Sequence, residues 1–529
     1  MRIEEAWKAG FTGRGVSVSI LDDGLDYHHN DLRDAFTAEI SFDFTNNRPD
    51  PTPENGPQFS HGTHCAGIVS MTANNSRCGV GAAYGARLGG LKMLGESQIV
   101  NDAIEGDALA YALEHVDIYS VSWGPRDDGR SVERPQELAA KALERGAKMC
   151  LANINIWGDM QGRNGLGSLY VWASGNGGLQ DDDCAMDGYA SNKYTLTFGI
   201  ASSEGISPWY AEGCPAIMAS VNEGTRKISG MVTTDVGNRC TTFAGSSAAA
   251  PLAASILALT LEANPQLSQR DVQHLIVRTA DPTSLMNSSA RGWKTNGAGL
   301  HYSRFFGFGT MNALKMVQVA QKWTSVEGER TCSKDIVLQN GTFSSLSPLT
   351  TQISFEGCQG TYGEVNFVER VELAVSVTHG RRGAVHIYLT SPMATRSCLF
   401  RCATSTASAW LQYLENDIHY SHLSEQCMIS APLGPLLVPN KLIFPYSLVT
   451  IPETVRITKG GSGRLVASLC RLLGREDKGC VEDGNERKGE VASSAVNDNA
   501  PKAVLDVVVF DPILNVLTDS SRLLPLAER

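Results

Sequence analysis

The run Val16-Ser17-Val18-Ser19-Ile20-Leu21 holds only apolar and small residues, and Asp22-Asp23-Gly24 follows it at once. A β-branched stretch of this kind reads as a strand buried on both faces, the place of a central strand in a parallel α/β sheet. Such sheets set their sites at the carboxyl ends of the strands, so this run delivers Asp22 to a site. Two further segments, His61-Gly62-Thr63-His64 and Gly245-Ser246-Ser247-Ala248-Ala249-Ala250-Pro251, complete an aspartate, histidine, serine series in chain order. A serine hydroxyl is a poor nucleophile until an imidazole takes its proton, and the imidazole needs a carboxylate to hold its tautomer.

The flanking residues suit those roles. The small, apolar stretch from Thr63 to Met71 predicts a helix with His61, the candidate general base, near its amino end. Ser247 opens a strongly helical run whose Pro251 fits only a first turn, which places the hydroxyl at a helix amino terminus. Val171-Trp172-Ala173 reads as a strand running into the turn Ser174-Gly175-Asn176-Gly177-Gly178, which presents Asn176 as an oxyanion donor. A donor in that role is worth roughly 3 to 4 kcal/mol of barrier. Singly, each of these residues reads as a cap or turn residue; together and in order they favour catalysis.

The segments Leu21-Asp22-Asp23-Gly24, His61-Gly62-Thr63, Ser122-Trp123-Gly124-Pro125, Ala173–Gly178 and Thr233-Thr234-Asp235 resemble the kexin and furin group of subtilases, the proprotein convertases. The resemblance runs from about residue 5 to about residue 397. It implies a calcium-dependent serine endopeptidase that cuts secretory precursor proteins after paired basic residues, in the secretory lumen, with the Golgi as the family's compartment, or after secretion. By the same resemblance Asp127 and Asp187 form the pocket for the arginine before the scissile bond, and Asp23 the pocket for the basic residue preceding it. Glu105 and Glu133 face a basic residue further upstream, Glu133 standing for a shorter aspartate. Carboxylates suit that substrate because a guanidinium carries a permanent charge and a donor fork; each of these acids alone also reads as a solvated turn residue. The backbone of Ser122, Trp123, Gly124 and Pro125 would pair with the substrate as an added strand.

Clustered loop carboxylates also suit calcium. The resemblance implies one site from Asp31, Asn75 and the carbonyls of Thr72, Arg77 and Gly79, and another from Asp127, Asp182 and Glu212. At a third family site Asp43 and Asp50 remain, while Arg48 stands where an acidic ligand is expected. The implied disulfides are Cys78 with Cys240, Cys184 with Cys214 and Cys332 with Cys358, leaving Cys65 reduced. Thirteen cysteines and sequons at Asn74, Asn287 and Asn340 suit an oxidising, glycosylating compartment.

A chain of 529 residues with 42% hydrophobic content can bury an α/β core and hold a second domain. The expected fold is α/β, a subtilisin-like, mostly parallel sheet flanked by helices over residues 1–322, shortened at its amino end and carrying an insertion at 149–160. A partial antiparallel β domain of the P type follows over 323–397, carried by runs such as Val371–Val377 and Ala384–Leu389, and a divergent, weakly folded tail occupies 398–529. A net charge of -11 argues against nucleic-acid binding and suits basic partners. No apolar run reaches the ~20 residues that span a bilayer. Neither a signal peptide nor the family's own propeptide, an expected partner, precedes Arg2, and the chain is expected to act as a monomer. Two departures lie near the site: Cys240-Thr241-Thr242-Phe243-Ala244 is one residue shorter than the family pattern, and Arg126 replaces an acidic residue in the substrate strand. An inactive, convertase-like protein that binds precursors without cutting them therefore stands beside the enzyme as a second reading.

Overall fold

A computed structural model describes residues 1–96, 100–148, 162–202, 204–224, 230–286 and 292–333, and beyond these 349–355, 358–365, 369–377, 386–391, 395–400, 425–432, 450–457 and 503–510. The expected insertion at 149–160 lies outside the described residues.

Seven strands, β1 (Ser17–Asp22), β2 (Phe42–Asp43), β3 (Arg87–Lys92), β4 (Ile118–Val121), β5 (Leu169–Ala173), β6 (Thr195–Ala201) and β7 (Ile217–Asn222), form one sheet in the order β2-β3-β1-β4-β5-β6-β7. Every neighbouring pair is parallel. All six residues of β1 are buried, because the strand lies between β3 and β4 and both of its faces are covered. Alternate side chains feed two cores: Val18, Ile20, Leu169 and Val171 join one, and Leu21, Tyr119, Tyr170 and Trp172 the other.

The α-helices among the described residues are α1 (Ile3–Lys8), α2 (His61–Ser70), α3 (Asp102–Leu109), α4 (Glu137–Ala147), α5 (Ser246–Ala263), α6 (Gln269–Thr279), α7 (Thr283–Met286) and α8 (Ala313–Ala320). The first core takes α2, α5 and α6, and the second takes α3 and α4, so the sheet is sandwiched between helical layers. Among the described residues α5 is the helix long and apolar enough to cross a bilayer, and it is mostly buried in the core.

Two local expectations shift. Helix α2 begins at His61, two residues before Thr63. Pro251 sits at the sixth position of α5, in its second turn. Pro251 has no N–H to donate to the Ser247 carbonyl four residues earlier, and the Ser122 hydroxyl donates to that carbonyl instead at 2.9 Å.

A hairpin of β8 (Met231–Asp235) and β9 (Arg239–Phe243) lies across α2. The Thr233 and Thr234 hydroxyls donate to the His64 and Thr63 carbonyls at 2.6 and 2.8 Å, and Gly67 provides the room for that approach. The disulfides join Cys78 to Cys240, Cys184 to Cys214 and Cys332 to Cys358, and Cys65 is free and buried.

Beyond residue 333 the regular elements among the described residues are strands. Strands Leu349–Phe355, Ala503–Phe510, His386–Thr390 and Arg396–Phe400 form one antiparallel sheet in that order. Arg370–Val377 pairs antiparallel with Glu425–Pro432 and, unlike the antiparallel pattern expected, parallel with Thr450–Ile457. Three of these strands lie within the segment read as a divergent tail, and each pairs with a strand before residue 400; alternation in the tail is too diluted by charged and glycine-rich stretches to mark them. Val371, Ile387, Leu389 and Leu399 share one buried cluster with α3 and α4. The Arg270 guanidinium also holds the Glu369 carboxylate, and Arg370 donates to the Lys193 and Asn192 carbonyls at 2.7 and 3.0 Å.

A Cβ added at Gly67 would run into the Thr233 and Thr234 hydroxyls. Gly67→Ala is expected to cost about 1–3 kcal/mol through overpacking, read as a lowered melting temperature against wild type.

Candidate active site

Strand β1 ends at Asp22 and helix α2 begins at His61, and the two meet. Asp22 is buried, and His61 Nδ1 lies 2.9 and 2.8 Å from its two carboxylate oxygens. Burial alone would lower the imidazole's pKa, but the charge and hydrogen bond of Asp22 outweigh it and carry it up to about 9. The ring of Phe243 packs edge-on to His61, with centroids 5.2 Å apart.

Asp23, expected to meet a substrate cation, is itself buried and turned to the start of α2. Its carboxylate accepts the His61 amide at 3.0 Å and the Gly62 amide at 2.7 Å, so it caps the helix that carries the base. Burial, then the neighbouring charge of Asp22, pushes Asp23 up to about 7 against the pull of those two amides. Only glycine fits at position 62, where a Cβ would run into the Gly24 carbonyl and lie 2.9 Å from Asp22 Cβ.

Ser247 is the second residue of α5, at the helix amino terminus as expected. Its carbonyl takes the Ser122 hydroxyl, and Cys65 Sγ lies 3.7 Å from it and 3.6 Å from Ser122 Oγ. The Cys65 sulfur is within 4.8 Å of ligand atoms of both Asp22 and His61, so the start of α5 and the histidine-aspartate pair border one cluster. Burial pushes the Cys65 thiol well up and keeps it protonated. Asn176 lies in the turn after β5, and its side-chain oxygen accepts the Ser246 amide at 2.8 Å. The Asn176 side chain also hydrogen-bonds the Asp127 carboxylate, and its NH2 group is the kind of donor an oxyanion calls for.

The expected substrate and cation residues converge beside this turn. Asp127 accepts the Asn176 amide at 3.0 Å, Glu212 the Gly177 amide at 2.8 Å and Asp182 the Gly129 amide at 2.9 Å. Burial first, then the charges of Asp182 and Asp127, raises Glu212 well above the ordinary carboxyl range; Asp127 is raised by burial and by Asp182. Burial, with Asp127 and Asp182 beyond it, pushes Asp187 up to about 7. A Cβ on Gly124 would lie 2.8 Å from Asp187 Oδ2, so that carboxylate borders the segment Ser122, Trp123, Gly124 and Pro125 that follows β4. Trp123 packs on Trp172 and Tyr189, with centroids 5.0 and 5.4 Å away. Glu105 accepts the Tyr189 hydroxyl at 2.6 Å and is raised by burial and by the charges of Asp102 and Glu133, while Glu133 bridges to Asp187 along the backbone.

The donor sets fit calcium at two places. Asp31 is fully buried with its Oδ2 unbonded within the protein, and the Asn75 side chain meets its other oxygen; Thr72 and Arg77 are on the same loop system. Asp127, Asp182 and Glu212 offer an oxygen-only set whose mutual repulsion a cation would relieve. The third locus does not fit: Arg48 Nε lies 3.2 Å and the buried Lys92 Nζ 3.5 Å from Asp43 Oδ2, so cations of the chain itself stand there.

One residue beside the nucleophile carried no sequence signal. Glu223, one residue past β7, is buried and accepts the Gly245 amide at 3.2 Å. It belongs to no motif and reads in the sequence as one more loop acid.

Comparison with known proteins matches residues 13–309 to the model of the Subtilase family and residues 368–423 to that of the Proprotein convertase P-domain, past the limit of 397. The chain is 42% identical to furin of Bos taurus over 414 residues, 77% of this chain and 49% of that protein. It is 43% identical to endoprotease aex-5 of Caenorhabditis elegans over 395 residues, 75% of this chain and 67% of the other. It is 43% identical to human proprotein convertase subtilisin/kexin type 5 over 404 residues, 75% of this chain and 21% of that one. The chain thus spans about half the length of bovine furin. The solved serine protease of Aeromonas sobria shares the fold at 22% identity, with a TM-score of 0.63 covering 81% of this chain and 80% of the other.

Asp22→Asn, examined in a Ser247→Ala background, is expected to drop the His61 pKa from about 9 to 6.5 or below, because the attraction is lost while burial remains. Imidazole nitrogen NMR across pH reads the shift, and an unchanged titration would refute the pairing.

Proposed function

This chain belongs to the subtilase family, in its proprotein convertase branch, and we propose that it is a calcium-dependent serine endopeptidase that cleaves secretory precursor proteins after paired basic residues. The observation that carries the reading is the Asp22–His61 pair at 2.8 Å, set beside the start of the Ser247 helix and bordered by carboxylates.

In the first half-reaction the Ser247 oxygen bonds to the scissile carbonyl carbon while its proton passes to His61 Nε2. Asp22 accepts from Nδ1–H throughout, which fixes the tautomer and stabilises the imidazolium. The carbonyl oxygen gathers charge and is met by the Asn176 NH2 group. The carbon–nitrogen bond then breaks, His61 returns the proton to the leaving amine, and water repeats the sequence on the acyl-enzyme.

Substrate choice follows from the raised carboxyls. Asp187 and Asp127 are held near one another at the cost of ionisation, and a substrate guanidinium relieves that repulsion while satisfying its own donor fork. The substrate backbone lies along Ser122–Pro125, with Glu105 and Glu133 reaching further upstream. Asp23 adds negative potential for the preceding basic residue from its buried position under the start of α2. Calcium, when bound by Asp31, Asn75 and the Thr72, Arg77 and Gly79 carbonyls, and by Asp127, Asp182 and Glu212, supplies charge neutralisation that holds these loops. The three disulfides support a secretory lumen, with the trans-Golgi as the family's compartment. The family's propeptide is the expected folding partner.

The secreted protein, with propeptide supplied in trans, is expected to hydrolyse an Arg-Arg fluorogenic peptide. Turnover should vanish with chelator and fall by roughly a million-fold in Ser247→Ala; binding without turnover would establish the inactive reading instead. Asp187 pairs with arginine only when ionised, so KM should climb as pH falls through about 7. Asp187→Asn should raise KM at least tenfold and flatten that dependence.

A further inference from the structure

We infer that Glu223 is a positioning residue that holds the turn carrying the nucleophile; this rests on the endopeptidase reading. Glu223 is nearly fully buried, 6% exposed, and its backbone is tied at both sides, its amide to the Ala201 carbonyl and its carbonyl to the Gly230 amide, each at 3.1 Å. Its carboxylate is therefore fixed in place. One oxygen, Oε2, accepts both the Gly245 amide and the Tyr210 hydroxyl.

Gly245 needs such an anchor. It stands at φ 97°, ψ 173°, a conformation open to glycine alone and with no intrinsic preference to keep it. The two residues after it are Ser246, whose amide donates to Asn176 Oδ1 at 2.8 Å, and Ser247. Consecutive amides of the turn are thus pinned by Glu223 and by the oxyanion residue, which together set where the Ser247 hydroxyl and the Asn176 NH2 group stand relative to each other. A buried anion makes the stronger kind of hydrogen bond to an amide.

Tyr210 extends the brace. Its carbonyl accepts the Gly178 amide at 2.8 Å, and Glu212, two residues on, accepts the Gly177 amide at 2.8 Å. The segment 210–212 therefore clasps the Asn176 turn on one side and, through the Tyr210 hydroxyl, Glu223 on the other.

Three variants of the full chain test this: Glu223→Ala, Glu223→Gln and Tyr210→Phe. Glu223→Ala is expected to lower kcat roughly 10- to 100-fold with KM for the Arg-Arg peptide unchanged. Glu223→Gln, which keeps an acceptor for Gly245, should recover to within about threefold of wild type, as an acceptor role requires. Tyr210→Phe removes the hydroxyl that braces the carboxylate and also meets the Gly245 backbone, but leaves the Glu223 acceptor in place, so its kcat should fall by a smaller factor, with its melting temperature read alongside as the control for folding. Hydrogen exchange at 244–248 should quicken in Glu223→Ala and Tyr210→Phe. Unchanged exchange there, unchanged kcat, or a loss confined to KM would overturn the assignment. Faster exchange in a chain whose wild type turns over no peptide would leave the tether standing and remove the endopeptidase reading.

Discussion

The contact between the end of β1 and the beginning of α2 is what the site depends on. Two adjacent carboxylates are carried out of water there, and each is given a different cationic or donor partner. Asp22 meets the imidazole, and Asp23 meets the first two amides of the helix that carries it. A strand end and a helix start, brought within bonding distance by a parallel sheet, supply both partners, one from a side chain and one from the helix's own amides. Glycine at 62 is the condition for that approach, and the hairpin with Thr233 and Thr234 presses the helix down from outside.

A second constraint is electrostatic. The carboxylates around the Asn176 turn raise one another, so the proposed arginine pocket is built of groups that resist ionising until a cation arrives. Under the proposed function, strain of this sort would favour a positively charged side chain, which gains more there than in water. At Asp43 the chain takes the opposite course. Arg48 and the buried Lys92 bring fixed positive charge to the carboxylate, and no ion is needed to keep that loop closed.

Much of this was readable from residue order. A fully apolar run ending in aspartate places β1 at the sheet centre, and the three triad segments each fall at the element boundary their chemistry requires. The helix-capping bonds of Asp23 were not legible, because a sequence gives a carboxylate's charge but not the amides that claim its oxygens. Pro251 was placed one turn too early, since the frame of α5 is set by Gly245, and its ring is tolerated there because Ser122 takes the carbonyl it frees. Glu223 was invisible for a similar reason: its partners, Gly245 and Tyr210, come from distant segments. The strands at 425–432, 450–457 and 503–510 find their pairing only in the presence of Arg370–Val377 and His386–Thr390, so local pattern carries little of them.

Val371, Ile387, Leu389 and Leu399 complete the same buried layer that Leu109, Leu143 and Trp172 begin. During synthesis that face of the sheet emerges from the ribosome first and stays greasy and wet until the residues around Leu399 follow. The nascent chain therefore passes through an interval in which the half carrying Asp22, His61 and Ser247 is already made but sticky on its far side. Quality-control machinery that recognises exposed apolar surface has its opportunity in that interval, before any substrate does.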